Sequence, residues 1–116
     1  MDQHFRGDQH IRRRRDFQTV YDRGRKTHGR TMTIFTLPRP GSVTRLGIAA
    51  TRKLGGAVER NRAKRLVREV FRRNPAPPGF DIVVVPRQAL FDATFSNLEV
   101  EYAAILGRLR PAAGGL

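Results

Sequence analysis

The sequence predicts a single small α+β domain with one central sheet, whose elements follow the order helix, strand, strand, helix, strand, helix. Three observations support this fold class. The chain has 116 residues, the length of one compact domain, and 39% of them are hydrophobic, which is enough for a modest core. Three segments carry apolar residues at helical spacing. Three others show the alternation or the continuous β-branched run that is typical of strands.

The predicted domain covers residues 16–110, and the two ends of the chain lie outside it. Residues 1–15 have no apolar period and end in a run of four arginines, which predicts a flexible basic arm. Residues 111–116 are rich in Gly and Ala and are predicted to form a frayed tail.

The first predicted helix spans residues 16–24, "DFQTVYDRG". Asp16 is its predicted N-cap and Gly24 its predicted C-terminal stop. At positions i, i+3 and i+4, one face of this helix carries Phe17, Val20 and Tyr21. That face is therefore apolar and largely aromatic.

Two strands are predicted next, over residues 31–37 and 45–51, and the Pro- and Gly-rich segment between them marks a turn. In the first strand, alternation places Phe35 on the face opposite to Met32 and Ile34. One face of the second strand has almost no bulk, since it consists of Gly47, Ala49 and Thr51. We predict that the two strands pair and that this face of small residues, beside the ring of Phe35, either packs tightly against a helix or forms the floor of a cleft.

The second predicted helix spans residues 57–73, "AVERNRAKRLVREVFRR", and ends before "NPAPPG", which cannot continue a helix. An apolar stripe is predicted to anchor the helix to the sheet through Ala63, Leu66, Val67, Val70 and Phe71. The helix holds seven cationic residues, six of them arginines, against only two glutamates. The polar residues opposite the stripe are Asn61, Lys64, Arg65, Arg68 and Arg72.

The last strand and the last helix complete the predicted domain. Residues 80–85, "FDIVVV", are almost continuously apolar and β-branched, which predicts a strand covered on both faces. Ser96 and Glu99 form a predicted capping box for the final helix. The apolar residues of that helix are Leu98, Tyr102, Ile105, Leu106 and Leu109.

The charge of the chain indicates a polyanionic partner. The chain has 23 Lys and Arg residues against 10 Asp and Glu, a formal net charge of +13, and such an excess of positive charge repels itself unless a polyanion neutralises it.

No apolar run approaches the roughly 18 to 20 residues of a membrane span, so we expect a cytoplasmic protein without a membrane partner. The chain has no Cys, and its His and Glu residues form no metal site or catalytic constellation in the sequence.

The cationic face of the second helix is best explained as a nucleic-acid-binding surface. A solvated helix face normally mixes signs so that i, i+4 pairs offset repulsion, but only Glu69 is placed to do so here. Arginine suits bidentate phosphate contacts better than lysine does, and Asn61 can offer a donor and an acceptor to a base edge or a ribose hydroxyl. Charge and spacing alone do not distinguish DNA from RNA. Strands rather than a helical turn flank the helix, which argues against a DNA-binding helix-turn-helix protein.

Four segments of the chain resemble the protein component of bacterial ribonuclease P. The most specific is "KLGGAVERNRAKRLVREVFR", residues 53–72, with its arginine-asparagine-arginine triplet at 60–62. The segments "DFQTVYDRG", "LGIAATRK" and "FDIVVVPR" match other parts of that family in the same order. The resemblance extends from residue 12 to residue 110.

The resemblance implies both a fold and a function. The fold is one shared with a ribosomal protein domain, in which the arginine-rich helix lies in an unusual left-handed β-α-β crossover. The function is that of the RNA-binding subunit of an endoribonuclease that removes the 5′ leader from precursor tRNA. The implied partners are the catalytic RNA and the leader, with no DNA partner. The catalytic RNA would carry out the hydrolysis with magnesium, and the protein alone would bind no cofactor.

The site residues that the resemblance implies fall into two groups. The signature helix would contact the RNA subunit through Arg60, Asn61, Arg62, Lys64, Arg65 and Arg68. The single-stranded leader would lie in a cleft made by Phe17, Tyr21 and Phe35, with Arg52, Lys53 and Lys64 at its rim. The alternative for the three aromatic residues is plain core packing. No catalytic side chain is implied.

A second class of function competes with this one, namely a structured-RNA-binding protein such as a ribosomal protein. The aromatic cleft would distinguish the two classes, because a structural RNA binder has no need of a groove on which unpaired bases stack.

The chain also departs from the family pattern at two positions. It has Gly56 where many relatives have asparagine, and Ala49 where many have a hydroxyl residue.

Overall fold

The structure, a computed structural model, describes residues 9–109, which form three helices and a four-stranded sheet. In chain order the elements are α1 (Arg14–Arg23), β1 (Arg25–His28), β2 (Met32–Pro38), β3 (Arg45–Ile48), α2 (Ala57–Arg73), β4 (Phe80–Pro86) and α3 (Phe95–Leu106). Short 3-10 turns precede α2 and α3, at Arg52–Leu54 and Gln88–Asp92. The α+β class is confirmed, and all six predicted elements are present together with one additional strand, β1.

Strand β1 has no apolar residue, which is why the sequence pattern does not reveal it. Three of its four residues are exposed, and Thr27 is half-buried. Backbone pairing with β2 forms the strand, with Lys26 opposite Phe35 and His28 opposite Thr33. Three strands rather than two therefore separate the first two helices, and the predicted order was wrong at this point.

β4, not β3, is the central partner of β2. The order across the sheet is β1-β2-β4-β3, with β2 antiparallel and β3 parallel to β4. The predicted pairing of the strands at 31–37 and 45–51 is therefore wrong. The physical reason lies in β4, where six of seven residues are buried, because a strand that is apolar on both faces is stable only inside a sheet with both faces covered.

β3 and β4 are parallel neighbours joined through α2, so this part of the chain is a β-α-β crossover. About 98% of such crossovers are right-handed. The family resemblance implies the left-handed sense here, and that sense stays a prediction.

The two faces of the sheet have separate cores. α2 and α3 cover one face, where Met32, Ile34 and Leu46 are packed against the apolar sides of both helices. α1 covers part of the other face, where Val20 and Val83 are fully buried. This second core is smaller and retains half-buried side chains at its surface, so one face of the sheet is left partly open.

The folded domain begins before the predicted boundary at residue 16. α1 starts at Arg14, and Ile11 is only 5% exposed. The N–H of Ile11 donates to the carbonyl oxygen of Leu46 on β3 at 2.9 Å, and His10 forms a parallel bridge with Leu46. The rest of the predicted arm, residues 1–8, and the predicted tail lie outside the described residues.

Asp16 is not the N-cap of α1. Arg13 occupies the cap position, and Asp16 lies in the first turn of the helix. There its carboxylate complements the helix dipole and lies 3.6 Å from the guanidinium of Arg45. The predicted stop at Gly24 is confirmed, since this residue is the C-cap.

The predicted capping box of α3 is also wrong. Thr94 is the N-cap, and its hydroxyl oxygen accepts a hydrogen bond from the N–H of Asn97 at 3.1 Å. Ser96 lies within the first turn, and Glu99 instead accepts a hydrogen bond from the side chain of Asn74 at the end of α2. The carboxylate of Glu99 therefore makes a long-range contact with α2 instead of capping its own helix.

Candidate nucleic-acid interface

α2 buries an apolar stripe and leaves its cations exposed or half-buried. Ala63, Val67 and Val70 in the apolar stripe are at most 1% exposed. The predicted RNA-contacting residues lie outside this stripe and are exposed or half-buried: Arg60, Asn61, Arg62, Lys64, Arg65 and Arg68. The burial of the stripe therefore fixes which residues face solvent.

Acidic residues neutralise only the last turn of α2. Glu69 forms an ion pair with Arg72, which lowers the pKa of the Glu69 carboxyl, and Glu99 of α3 lies 3.3 Å from Arg73. Among the described residues, no carboxylate lies within 4.0 Å of the cations at positions 60–68. The predicted interface is therefore the part of the helix whose charge is not balanced.

An aromatic ring holds Arg62 in place. Its guanidinium carbon lies 5.6 Å from the ring centroid of Phe91, in the 3-10 turn before α3. A cation over the face of a ring is attracted by the ring quadrupole, so Phe91 restricts the orientations that Arg62 adopts.

Phe17, Tyr21 and Phe35 come together in a row on the sheet face that α1 covers. The ring centroid of Tyr21 lies 6.4 Å from that of Phe17 and 5.0 Å from that of Phe35, and the second pair is edge-to-face. All three rings are half-buried, and partial burial raises the pKa of the Tyr21 hydroxyl. We refer to these three side chains as the aromatic row. Each ring packs against the core and leaves part of its surface for a partner.

Gly47 of β3 provides the low floor beneath Phe17. A Cβ atom at position 47 would lie 2.8 Å from the ring of Phe17, so only glycine leaves room for the ring there. Phe35 does not lie beside β3, because Val83 of β4 is opposite Phe35 on one side and opposite Gly47 on the other. Gly47 of β3 thus accommodates the first ring of the row, not the third as predicted.

A cavity of about 310 Å³ connects the aromatic row with α2. Phe17 lies on its wall together with Lys64 and Arg68 of α2 and with His10 and Arg12 of the N-terminal segment. Partial burial and the nearby charges of Arg12 and Arg68 lower the pKa of His10. The cavity is therefore a region of positive potential. Lys64, which the resemblance assigns to both groups of site residues, lies where the two groups meet.

Arg52 and Lys53 lie in the 3-10 turn between β3 and α2, and both are exposed. Gln88 fixes this turn by donating a hydrogen bond to the carbonyl oxygen of Lys53 at 2.8 Å. Neither side chain lines the cavity at Phe17. The structure therefore places Lys64 at the cavity beside Phe17, whereas these two residues do not line that cavity.

Sequence patterns do not reveal three cationic or titratable residues that border the aromatic row. Lys26 has its Nζ atom 5.7 Å from the ring centroid of Phe35. His10 and Arg12 line the cavity at the other end. Lys26 belongs to a strand without an apolar pattern and the other two to a segment without a period. The signals in the sequence are two basic stretches, the four arginines that begin at Arg12 and the segment from Arg23 to Lys26.

The side chains of this site are mainly cations and half-buried aromatic rings. Between residues 9 and 109, no group of three or more His, Asp or Glu side chains is close enough to hold a metal ion. No helix in the part of the chain that the structure describes is both long and apolar enough to cross a membrane. Arginine and lysine contact phosphates, and half-buried rings stack on bases, so the arrangement can hold a single-stranded polyanion.

A basic helix beside a row of half-buried rings, on a small α+β domain, is typical of a nucleic-acid-binding protein. Residues 5–110 match the family model described as Ribonuclease P. The chain belongs to this family, the protein component of ribonuclease P, and is thus an RNA-binding subunit that acts in the 5′ processing of tRNA.

Relatives and solved structures agree with this assignment. The ribonuclease P protein component of Desulfovibrio desulfuricans is 42% identical over 105 residues, covering 87% of this chain and 77% of that protein. That of Thermotoga maritima is 40% identical over 92 residues, covering 78% and 79%. The solved RNase P protein from Thermotoga maritima superposes with a TM-score of 0.78 at 34% identity, covering 87% of this chain and 97% of that one. For the RNase P protein from Staphylococcus aureus the TM-score is 0.71 at 30% identity, covering 89% and 90%. None of these proteins supports the alternative of a ribosomal protein.

Proposed function

We propose that the chain binds the catalytic RNA of ribonuclease P through the polar face of α2 and the unpaired 5′ leader of precursor tRNA through the aromatic row. The RNA subunit hydrolyses the phosphodiester bond, and the protein holds the substrate against it. The observation that carries this proposal is the continuity of the two surfaces. The unbalanced cations of α2 and the first ring of the aromatic row share one cavity, at Lys64 and Phe17.

The chemistry of a leader fits the aromatic row. An unpaired strand offers base faces that stack on Phe and Tyr rings with little regard to base identity, and a phosphate beside each base for a cation. Precursor tRNAs differ in leader sequence, so a surface that binds through stacking and charge accepts all of them. The family to which the chain belongs gives no reason for a double-stranded DNA partner.

Magnesium is assigned to the RNA and not to this chain. The ion prefers oxygen ligands, chiefly carboxylates and phosphates, and keeps several of its waters. Three of the described carboxylates, Asp81, Glu69 and Glu99, are in ion pairs with arginines, and no group of three or more His, Asp or Glu side chains within residues 9–109 could hold a metal ion. The donor set therefore does not fit a resident magnesium ion. Phosphate oxygens of the RNA and the substrate would hold it, and the reaction belongs to the bacterial cytoplasm, where tRNA matures.

A reconstitution tests this proposal. The purified protein is mixed with the ribonuclease P RNA of the same genome and a 5′-labelled precursor tRNA at low magnesium, where electrostatic help from a basic protein matters most. We expect leader removal that requires both components. Cleavage by the RNA alone at an unchanged rate, or by the protein alone, would contradict the proposal.

A second arm of the experiment separates the two surfaces. Binding of the assembled enzyme to precursor tRNA and to mature tRNA is compared, since the mature molecule lacks the leader. The proposal requires a clear preference for the precursor. Equal affinity for both would leave the RNA-binding role of α2 in place and remove the role of the aromatic row.

A further inference from the structure

We propose that Lys26 is a further leader-binding residue, which holds a leader phosphate at the β1 end of the aromatic row. The inference rests on the proposed function, because it extends the path of the leader beyond Phe35. It concerns a residue on the one strand that the sequence pattern does not reveal, and one that the family signature does not include.

The backbone places Lys26 on the open face of the sheet. Lys26 is directly opposite Phe35 in the antiparallel pairing of β1 with β2. Side chains of directly opposite residues project from the same face of a sheet and have their Cβ atoms roughly 4.5 to 5.5 Å apart. Neighbouring residues alternate between faces, so Arg25 projects from the other face. The position of Lys26 beside the ring therefore follows from the register and not from the rotamer of a long side chain.

Lys26 continues the aromatic row at the same interval. The ring centroids lie 6.4 Å apart between Phe17 and Tyr21 and 5.0 Å apart between Tyr21 and Phe35. The Nζ atom of Lys26 lies 5.7 Å from the centroid of Phe35. A strand that places successive bases along the row would therefore bring a backbone phosphate to this ammonium group.

The charge of Lys26 is also available. Within residues 9–109, no carboxylate lies within ion-pair distance of its Nζ atom, whereas Arg45, Arg72 and Arg73 all have acidic partners. The side chain is exposed, so it can exchange water for a phosphate oxygen at little cost. The row thus has a cation at each end, with Lys64 and Arg68 beyond Phe17 and Lys26 beyond Phe35.

The test compares substitutions that separate charge from packing. Lys26→Met keeps an unbranched stem over the ring of Phe35 and removes the charge, while Lys26→Arg keeps a charge. Arg25→Met is the matched control, because it removes one charge from the adjacent exposed residue on the opposite face. Each variant is assembled with the RNA subunit, and the affinities for precursor and mature tRNA are measured at several salt concentrations.

We expect Lys26→Met to weaken precursor binding roughly three- to fivefold, the scale of one exposed ion pair. The log–log salt slope for the precursor should decrease by about 0.7, the value for one phosphate contact with a single strand. Affinity for mature tRNA should stay the same, Lys26→Arg should bind the precursor as the unsubstituted protein does, and Arg25→Met should leave the preference for the precursor unchanged. With a precursor whose leader is too short to extend beyond Phe35, Lys26→Met should not change the binding affinity.

Two results would overturn the inference. In the first, Lys26→Met binds a long-leader precursor as tightly as the unsubstituted protein does, whereas Tyr21→Ala binds it more weakly. This result would support the proposed cleft and exclude Lys26 from it. The other is an equal loss for precursor and mature tRNA, which would place Lys26 against another part of the complex. If neither Lys26→Met nor Tyr21→Ala changes precursor binding, the leader role of the aromatic row itself is refuted.

Discussion

Tyr21 and Phe35 are the residues at which substrate binding and core packing are most easily separated. Both rings are half-buried, and their edge-to-face contact joins α1 to β2. Stacking contributes about 1 to 3 kcal/mol per base, so Tyr21→Ala or Phe35→Ala should weaken precursor tRNA binding by roughly 5- to 150-fold. Mature tRNA should bind almost as before.

Circular dichroism and thermal melting serve as the control for these two variants, because weaker core packing also lowers affinity. Variants that are folded and bind precursor and mature tRNA with equally reduced affinity, or with unchanged affinity, would show that the rings are core residues.

The sequence predicts the residue types of the aromatic row but not their arrangement, since the position of Phe17 depends on Gly47, thirty residues away in the chain.

Phe91 should affect RNA binding without contacting RNA, because it orients Arg62. Phe91→Ala frees the guanidinium, and a cation–π contact at an exposed site contributes about 0.5 to 1 kcal/mol. We therefore expect roughly two- to fivefold weaker binding of the RNA subunit, measured by filter binding, with recovery in Phe91→Tyr.

Phe95→Ala is the matched control for Phe91. Phe95 lies beneath Arg73, with 5.3 Å between guanidinium and ring centroid, and Arg73 is already paired with Glu99. This substitution should leave RNA binding unchanged. An equal effect of the two substitutions would mean that general loosening of the α2–α3 packing, and not the orientation of Arg62, is responsible.

At the scale of the element, α2 divides into an unbalanced stretch and a neutralised last turn. Replacing both Arg65 and Arg68 with Ala should weaken RNA-subunit binding and lower the log–log salt slope by about 0.7 to 0.9 for each phosphate that is no longer neutralised. Replacing both Arg72 and Arg73 removes the same formal charge from residues that already have acidic partners. That control should change the slope much less, and equal slopes would indicate that net charge rather than position determines binding.

The elements differ in how well their sequences predict them, for physical reasons. The bounds of α2, Ala57–Arg73, are those predicted, because a long apolar period and the segment "NPAPPG" define both its core side and its end. β1 has no such period, since pairing with β2 and not burial of its side chains forms it. The central position of β4 follows from its burial on both faces, but its partners depend on long-range pairing that no local pattern encodes.

At the scale of the whole molecule, one buried carboxylate ties several elements together. Asp81 of β4 is 3% exposed and accepts two hydrogen bonds from Arg45 on β3, at 2.9 and 2.8 Å. It also accepts one from Arg39 at 3.1 Å, while Arg45 reaches Asp16 of α1. The burial of this charge is possible only because both arginines compensate it.

Asp81→Ala should therefore lower the free energy of unfolding by about 2 to 4 kcal/mol, because it leaves two arginines without their acceptor. Arg39→Ala, in which Asp81 keeps Arg45, should cost about 1 kcal/mol or less. Urea denaturation measures both values. Equal decreases would show that Asp81 acts as an ordinary surface ion-pair partner and does not join the elements.

The sequence was enough to name most residues of the candidate site, but not the cavity that joins them. The residues of α2 and the aromatic row follow from the family signature and from spacing. The cavity that joins them needs His10 and Arg12, in a segment whose sequence predicts only a flexible arm. This segment is held against the sheet by Ile11, a single buried apolar residue. A single apolar residue forms no periodic pattern from which a structure could be predicted.

The docking of Ile11 beside β3 also governs how the protein behaves when it is concentrated without RNA. An edge strand offers unpaired N–H and C=O groups on which other chains can add, which is a common route to aggregation. Ile11 hydrogen-bonds to Leu46 along the outer side of β3 and so occupies part of that edge. The opposite edge, β1, is only four residues long and carries Arg25 and Lys26, and short, charged edges disfavour such growth. Both edges of the sheet are thereby protected against the addition of further strands, and Ile11 and Lys26 also border the proposed surfaces for RNA.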